Sequence, residues 1–193
     1  IKYIDKNNIE KESLDIYASE NINIIADAHY LPYKENTFNM VIIQAVLEHC
    51  IEPKMVVSEI HRVLNKEGIV YAETPFMQSV HEGAYDFTRY THSGHRWLFK
   101  EFDEIDSGVI AGSFQSSLFV ISYAISGIFR NRKVGILIRV LLWRICKLLD
   151  RMTSTKYNID NASCSYFIGR KKFMTDIKRS NDWIAKYYSG SQV

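Results

Sequence analysis

Residues 38–75, FNMVIIQAVLEHCIEPKMVVSEIHRVLNKEGIVYAETP, decide the fold. The stretch opens on an apolar run, 38–44, which is too short for a helix of its own and reads as a buried strand. From Pro53 the period changes: Val56, Val57, Ile60, Val63 and Leu64 recur at helical spacing, with Pro53 near the start and Gly68 as the stop. A second strand, 69–74, ends at Pro75. Strand, helix, strand is the unit of a parallel sheet covered on both faces, in which ligands bind beyond the carboxyl ends of the strands.

Upstream, 13–17 and 22–28 are short apolar runs that carry Asp15 and Asp27 toward their carboxyl ends, and both read as strands. The loops after Asp15, Asp27, Gln44 and Thr74 are therefore where a ligand is expected. Downstream, 76–97 (FMQSVHEGAYDFTRYTHSGHRW) is dense in His, Arg and aromatic residues with little apolar period, as functional loops are. A short helix over 93–100, a strand over 101–110 and helices over 116–129 and 134–149 follow. The last two flank Arg130-Asn131-Arg132-Lys133 and are too short and too charged to cross a membrane. A final strand is expected over 163–169, then a basic tail with a helix around 182–188.

The chain has 193 residues, 47% hydrophobic and 24% charged, which excludes disordered, collagen-like and disulfide-scaffold classes. Its net charge of +2 hides a split: residues 1–129 hold 10 basic against 18 acidic groups, and residues 130–193 hold 14 against 4. The basic part suits either an anionic partner or a solvated face. The three cysteines, Cys50, Cys146 and Cys164, form no CxxC pair, so a reducing, cytoplasmic setting is expected. Asn161-Ala162-Ser163 is a formal glycosylation sequon without a signal segment to give it meaning. The first of nine glycines is Gly68, so no glycine-rich loop lies in the first third of the chain.

The order Leu14-Asp15-Ile16-Tyr17, Ala26-Asp27-Ala28-His29, Asn36 to Val41, Gln44-Ala45-Val46-Leu47-Glu48-His49 and Glu59 to Leu64 leading to Gly68 resembles the class I S-adenosylmethionine-dependent methyltransferases of the type 11 group. The segment His81 to Thr91 is similar to one carried by a subgroup associated with bacterial surface-glycan pathways. The resemblance implies a three-layer, doubly wound Rossmann-like α/β sheet, mostly parallel with an antiparallel last strand. Of the family's strand order 3-2-1-4-5-7-6, the first strand and its glycine-rich loop are missing, so the chain reads as truncated at its N-terminus. The position between the strands ending at Asp15 and Gln44 should then be vacant or closed up. The resemblance divides the chain into a cofactor-binding core over 1–112, a helical substrate-cap or membrane-facing segment over 113–162, and a last strand with basic tail over 163–193.

The same resemblance implies S-adenosylmethionine as cofactor. Asp15, with Ile16 after it, corresponds to the acid that holds the ribose hydroxyls, a task for a carboxylate because it accepts two hydrogen bonds from a diol. Asp27 and Ala28 correspond to the adenine edge; Gln44, Ala45 and Val46 correspond to the loop beside the methionine part and sulfonium. For Glu48 and His49 orienting backbone and touching cofactor both remain open. Methyl transfer needs alignment and, for a hydroxyl or amine acceptor, proton removal. His81 and then Asp86 are the catalytic candidates, with Tyr85 and Arg89 positioning the acceptor; the competing reading is that these polar groups bond one another to shape the loop. Phe76, Tyr85, Phe87, Tyr90 and Trp97 either stack on the acceptor or close the core.

No metal site is expected, because His81, His92 and His95 have no Cys or carboxylate at ligand spacing. His61 reads as a surface residue and Cys50 as a small buried hydrophobe. The expected function is methyl transfer to a small or lipid-linked, glycan-related acceptor, in the cytoplasm and peripheral to an anionic membrane surface, without nucleic acid. The alternative is a non-catalytic methyltransferase-like binding module with impaired cofactor binding. A nicotinamide oxidoreductase would need a glycine fingerprint and has no residue in its favour.

Overall fold

The computed structural model describes residues 3–4, 10–172, 185 and 188–192. Its principal sheet has four strands in the order β5-β6-β8-β7: β5 Phe38–Gln44, β6 Leu64–Pro75, β7 Phe102–Ala111 and β8 Cys164–Lys171. β5 runs parallel to β6, and β8 runs antiparallel to both β6 and β7. The expected antiparallel last strand thus lies inside an otherwise parallel set. Two short pairs precede the sheet: an antiparallel pair, β1 Tyr3–Ile4 with β2 Glu10–Lys11, which the sequence did not announce, and a parallel pair, β3 Leu14–Asp15 with β4 Ile24–Ile25.

β3 and β4 are much shorter than the apolar runs around them, and they form a sheet of their own. Among the described residues β5 is an edge strand that pairs only with β6. The position beside β5 is therefore open rather than closed up by β3, and Met40 and Ile42 of β5 are exposed.

Helix α1, Pro53–Val63, crosses from β5 to β6 and packs Val56, Val57 and Ile60 on Ile43, Val70 and Ala72. Helix α2, His92–Leu98, leads into Phe99 and Phe102, which with Phe167 complete the same buried cluster. Phe99 and Phe167 stack at 5.0 Å. Among the described residues no helical layer covers Met40 and Ile42 on the opposite face, where a doubly wound sheet would carry one. The connection from β4 to β5, residues 26–37, is all turns, so no helix is delivered to that face.

Two local expectations need correction. The first helix ends at Val63 instead of running to Gly68, because Leu64 is already extended and pairs with Phe38. The ladder then resumes at Met40 with Ile69, so residues 65–68 bulge out as a tight turn. His61 is half-buried rather than on the surface, with its ring against Phe102 at 5.2 Å, and burial lowers its pKa. Trp97, Tyr90 and Phe76 are half-buried, whereas Tyr85 and Phe87 are exposed.

Helices α3, Ser113–Ile128, and α4, Arg132–Met152, form an antiparallel hairpin. They approach closely at Gly135, where a Cβ would stand 2.4 Å from the Ser122 carbonyl oxygen. A short helix α5, Thr155–Asp160, which the sequence reading passed over, returns the chain to β8. No helix among the described residues is long and apolar enough to cross a membrane. Most of the helix expected around 182–188 lies outside the described residues.

Candidate functional site

The carboxyl ends of β3, β4, β5 and β6 carry the residues to which the sequence pointed. Asp15 ends β3 with its side chain exposed, and its Oδ1 accepts the Tyr17 N–H at 2.9 Å. That bond turns the chain so that Ile16 and Tyr17 stand exposed beside it. Two residues after β4, Asp27 Oδ1 accepts the His29 N–H at 2.9 Å and the His29 ring at 2.5 Å. These bonds, the backbone one first, lower the Asp27 pKa. His29 in turn accepts the Glu52 N–H at Nε2, 3.2 Å away, and so ties the loop to the start of α1. Ala28 packs against the core cluster.

At the end of β5, Gln44 donates to Glu73 Oε1 at 2.8 Å, and Tyr71 donates to the same oxygen. Ala45 adopts φ 51, in the left-handed region that costs an L-residue about 1–2 kcal/mol. Its N–H bonds the Glu73 carbonyl at 3.1 Å, which holds the strained turn in place. Strain of this kind persists where surrounding structure over-determines it, and it clusters at functional sites. Val46, next in sequence, is exposed, and the 3-10 turn Leu47–His49 follows.

The loop after β6 folds back onto that turn. Phe87 and Thr88 donate their N–H groups to the Glu48 carbonyl at 2.8 and 3.2 Å, and the His49 ring donates from Nδ1 to the Tyr85 carbonyl at 2.8 Å. This docking brings Glu48, His49 and His81 together: Glu48 Oε1 lies 3.7 Å from His49 Nε2 and 3.8 Å from His81 Nε2. The two imidazoles meet edge to face at 4.9 Å. Glu48 is fully buried, and neither carboxylate oxygen has a hydrogen-bond partner among the described residues. Burial raises its pKa against the opposing pull of its own backbone amide, His49, His81 and Arg89.

Asp86 and Arg89 sit differently from what their candidate roles imply. The Asp86 carboxylate is buried and bidentate to Arg89, with Oδ2 2.6 Å from Nη2, and it also accepts the His81 N–H at 3.0 Å. The Arg89 guanidinium beside it holds its pKa down at about 2. Such a carboxylate anchors the loop and does not take up a proton near neutrality. Arg89 also donates to the Gln78, Ser79 and Thr88 carbonyls, so its donors are spent inside the loop. Tyr85 is exposed and available to an acceptor. His95 points into the core against Phe99 and Phe167, and His92 is buried, both apart from His81. Glu48 and His49 are the site residues the sequence reading left undecided. Their signal was a charged pair placed directly after a buried strand and among apolar neighbours.

Residues 4–72, less than half of the chain, match the family described as methyltransferase domain. The match is to the type 11 group of methyltransferase domains. The matched segment holds every candidate cofactor residue from Asp15 to Val46, while the loop bearing His81 lies beyond the match. No curated protein matches the chain. Among solved structures, the cyclase SpnF superposes with a TM-score of 0.43 at 15% identity, over 79% of this chain and 57% of that one. The phosphoethanolamine N-methyltransferase 2 of Haemonchus contortus, solved with phosphomonomethylethanolamine and S-adenosylhomocysteine, gives 0.48 at 14% identity, over 79% and 38%. A SAM-dependent methyltransferase of Thermotoga maritima gives 0.46 at 13%, over 78% and 65%. The chain thus spans less than two thirds of the length of each of these three proteins.

Proposed function

We propose that this chain transfers a methyl group from S-adenosylmethionine to a small or lipid-linked, glycan-related acceptor. The observation that carries the reading is that Asp15, Asp27 and the strained Ala45 each stand at or just past the carboxyl end of a strand, β3, β4 and β5 respectively. The donor set suits the cofactor: two carboxylates to accept from a ribose diol and an adenine amine, with exposed Ile16 and Val46 as apolar walls. When bound, the cofactor supplies an electrophilic methyl on sulfur. The chain's own residues orient the reactants and hold the acceptor's proton. In this reading His81, whose Nε2 lies 3.8 Å from Glu48 Oε1, serves the acceptor, and Asp86 and Arg89 fix the loop that presents it.

The α3–α4 hairpin supports the lipid-linked arm. Leu137, Leu141, Ile145, Leu148 and Met152 form an exposed stripe along α4, with Lys133, Arg144 and Arg151 on the adjoining face. The one acid of α4, Asp150, is turned inward. An apolar stripe flanked by cations suits an anionic lipid surface. A concavity of about 440 Å³ lies on this hairpin, and Phe119, Ile136, Val140 and Trp143 line it with Arg139 and Arg144. That chemistry fits a hydrocarbon chain with an anionic head. We place the protein in the cytoplasm at such a surface, a setting compatible with its free cysteines.

Two experiments test this reading. Methyl-labelled S-adenosylmethionine is incubated with the chain and a lipid-linked glycan extract; label in the organic phase that is lost with His81→Ala supports the acceptor assignment, and no transfer to extract or to water-soluble glycans counts against it. In vesicle co-sedimentation, binding should rise with phosphatidylglycerol content and fall with salt. Equal recovery on neutral phosphatidylcholine would remove the anionic-surface arm.

A further inference from the structure

Three lone-pair donors converge at the loop that docks on the 3-10 turn, and no proton on any of them satisfies the group. The His49 Nδ1 faces the Tyr85 carbonyl at 2.8 Å, and a carbonyl only accepts, so the ring hydrogen sits on Nδ1 and Nε2 carries its lone pair. The His81 Nδ1 faces the Asp86 carboxylate at 3.5 Å and the Ser79 carbonyl at 3.5 Å, again two acceptors, which leaves Nε2 as the lone-pair end. Both Nε2 atoms point toward Glu48 Oε1, at 3.7 and 3.8 Å, distances too long for hydrogen bonds. Glu48 is nine-tenths buried or more, and neither of its oxygens has a hydrogen-bond partner among the described residues. A buried carboxylate that faces two imidazole lone pairs without a hydrogen bond is repulsive unless it takes up a proton or a cation joins the three groups.

We propose that Glu48, His49 and His81 form a binding site for one divalent transition-metal ion of the zinc class. Their ligand atoms lie within 4.8 Å of one another. In a tetrahedral site with bonds of about 2.0–2.1 Å, neighbouring ligands stand about 3.3 Å apart, so closing the cluster on an ion shortens the two Glu48 contacts by about half an ångström and the separation of the two rings by up to about 1.5 Å. Two imidazoles and one carboxylate are a donor set that leaves a coordination position open. The outer contacts are those of a metal site as well: each ligating ring presents its other N–H to a carbonyl or carboxylate, which fixes tautomer and orientation. Asp86 thereby gains a purpose its pairing with Arg89 alone does not give it.

The sequence argument against a metal rested on the lack of a carboxylate near His81. The fold supplies that carboxylate from the end of β5. His81 is 36% exposed, so the open position is reachable from solvent. The role we assign to that position, holding an acceptor oxygen on the ion in place of direct proton transfer to His81, rests on the methyl-transfer reading. The binding itself does not.

The test is a calorimetric titration of the chelator-stripped full chain with zinc, without S-adenosylmethionine, paired with visible spectroscopy of the cobalt-loaded chain. The expected result is one ion per chain and a cobalt absorption band of a four- or five-coordinate ion, both lost or weakened at least tenfold in His81→Ala and His49→Ala. Glu48→Gln, which keeps the shape, should weaken binding as well, with circular dichroism reporting its fold. Should a variant of a buried residue fail to fold, His81→Ala at its half-open position decides. No uptake of the ion, or uptake unchanged by His81→Ala, overturns the site. Because cofactor is absent from this experiment, its failure leaves the methyl-transfer reading standing, and failure of cofactor binding leaves the metal site standing.

Discussion

Glu67 and Gly68 sit side by side in the bulge near the start of β6, and they load it in opposite ways. Glu67 is held at φ 63, a left-handed conformation that costs a residue with a Cβ about 1 kcal/mol. At Gly68 a Cβ would stand 2.9 Å from the Asn65 carbonyl oxygen, so the backbone approach itself requires glycine. Glu67→Gly should raise unfolding free energy by up to about 1 kcal/mol, and Gly68→Ala should lower it by roughly 1–3 kcal/mol, read from urea midpoints. The exposed pairing of Glu67 with Arg170 will not offset this, since such pairs contribute little. His95 offers a pH test. Burial pushes its imidazole from 6.5 down to about 3, so across that interval the unfolded chain binds the proton that the fold refuses. Its contribution is full above about pH 6.5 and is lost as pH falls toward 3, with a slope of up to about 1.4 kcal/mol per pH unit. Stability measured between pH 7.5 and 5 should fall less steeply for His95→Gln than for the native chain; identical slopes would contradict the assignment. At this scale the places of Asp15 and Asp27 at strand ends, and of His81 in the loop after β6, were legible. Glu48 and His49 were not, because only the returning loop gives them their partner.

Helix α3 starts without a side-chain cap of its own, since Gly112 occupies that position. Asp150 of α4 supplies it instead, accepting the N–H groups of Gly112, Phe114 and Gln115 at 3.1, 2.7 and 3.2 Å. A buried carboxylate at a helix N-terminus gains from the donors and from the helix dipole together. Asp150→Ala should cost about 2–3 kcal/mol and should raise amide hydrogen exchange at 112–115 before it affects the sheet. Unchanged exchange there would show that another group caps the helix. The helical period of α1 was plain in the sequence because its apolar face meets one sheet. Its end was not plain, because Leu64 fits a helix stripe and a strand equally well, and pairing with Phe38 decides. The runs around β3 and β4 looked like full strands for a related reason: apolar content records burial, whereas strand length depends on neighbours to pair with.

The whole molecule keeps the sign split of its sequence. The domain that carries Asp15, Asp27 and Glu48 is the acidic part, and the projecting hairpin begins the basic part, with Arg130, Arg132 and Lys133 at its tip. Strand order β5-β6-β8-β7 and the antiparallel β8 follow the family order anticipated from the motifs. The open edge of β5 and the uncovered face beside Met40 and Ile42 mark where that order leaves a position unpaired among the described residues. The account stands on the strand ends acting as a cofactor site, and calorimetric titration of the chain with S-adenosylmethionine tests this most directly. It predicts one-to-one binding that weakens at least tenfold in Asp15→Ala, as loss of charged hydrogen bonds worth roughly 1.5–3 kcal/mol each requires. Absence of binding by the folded chain, or affinity unchanged by Asp15→Ala, would contradict it.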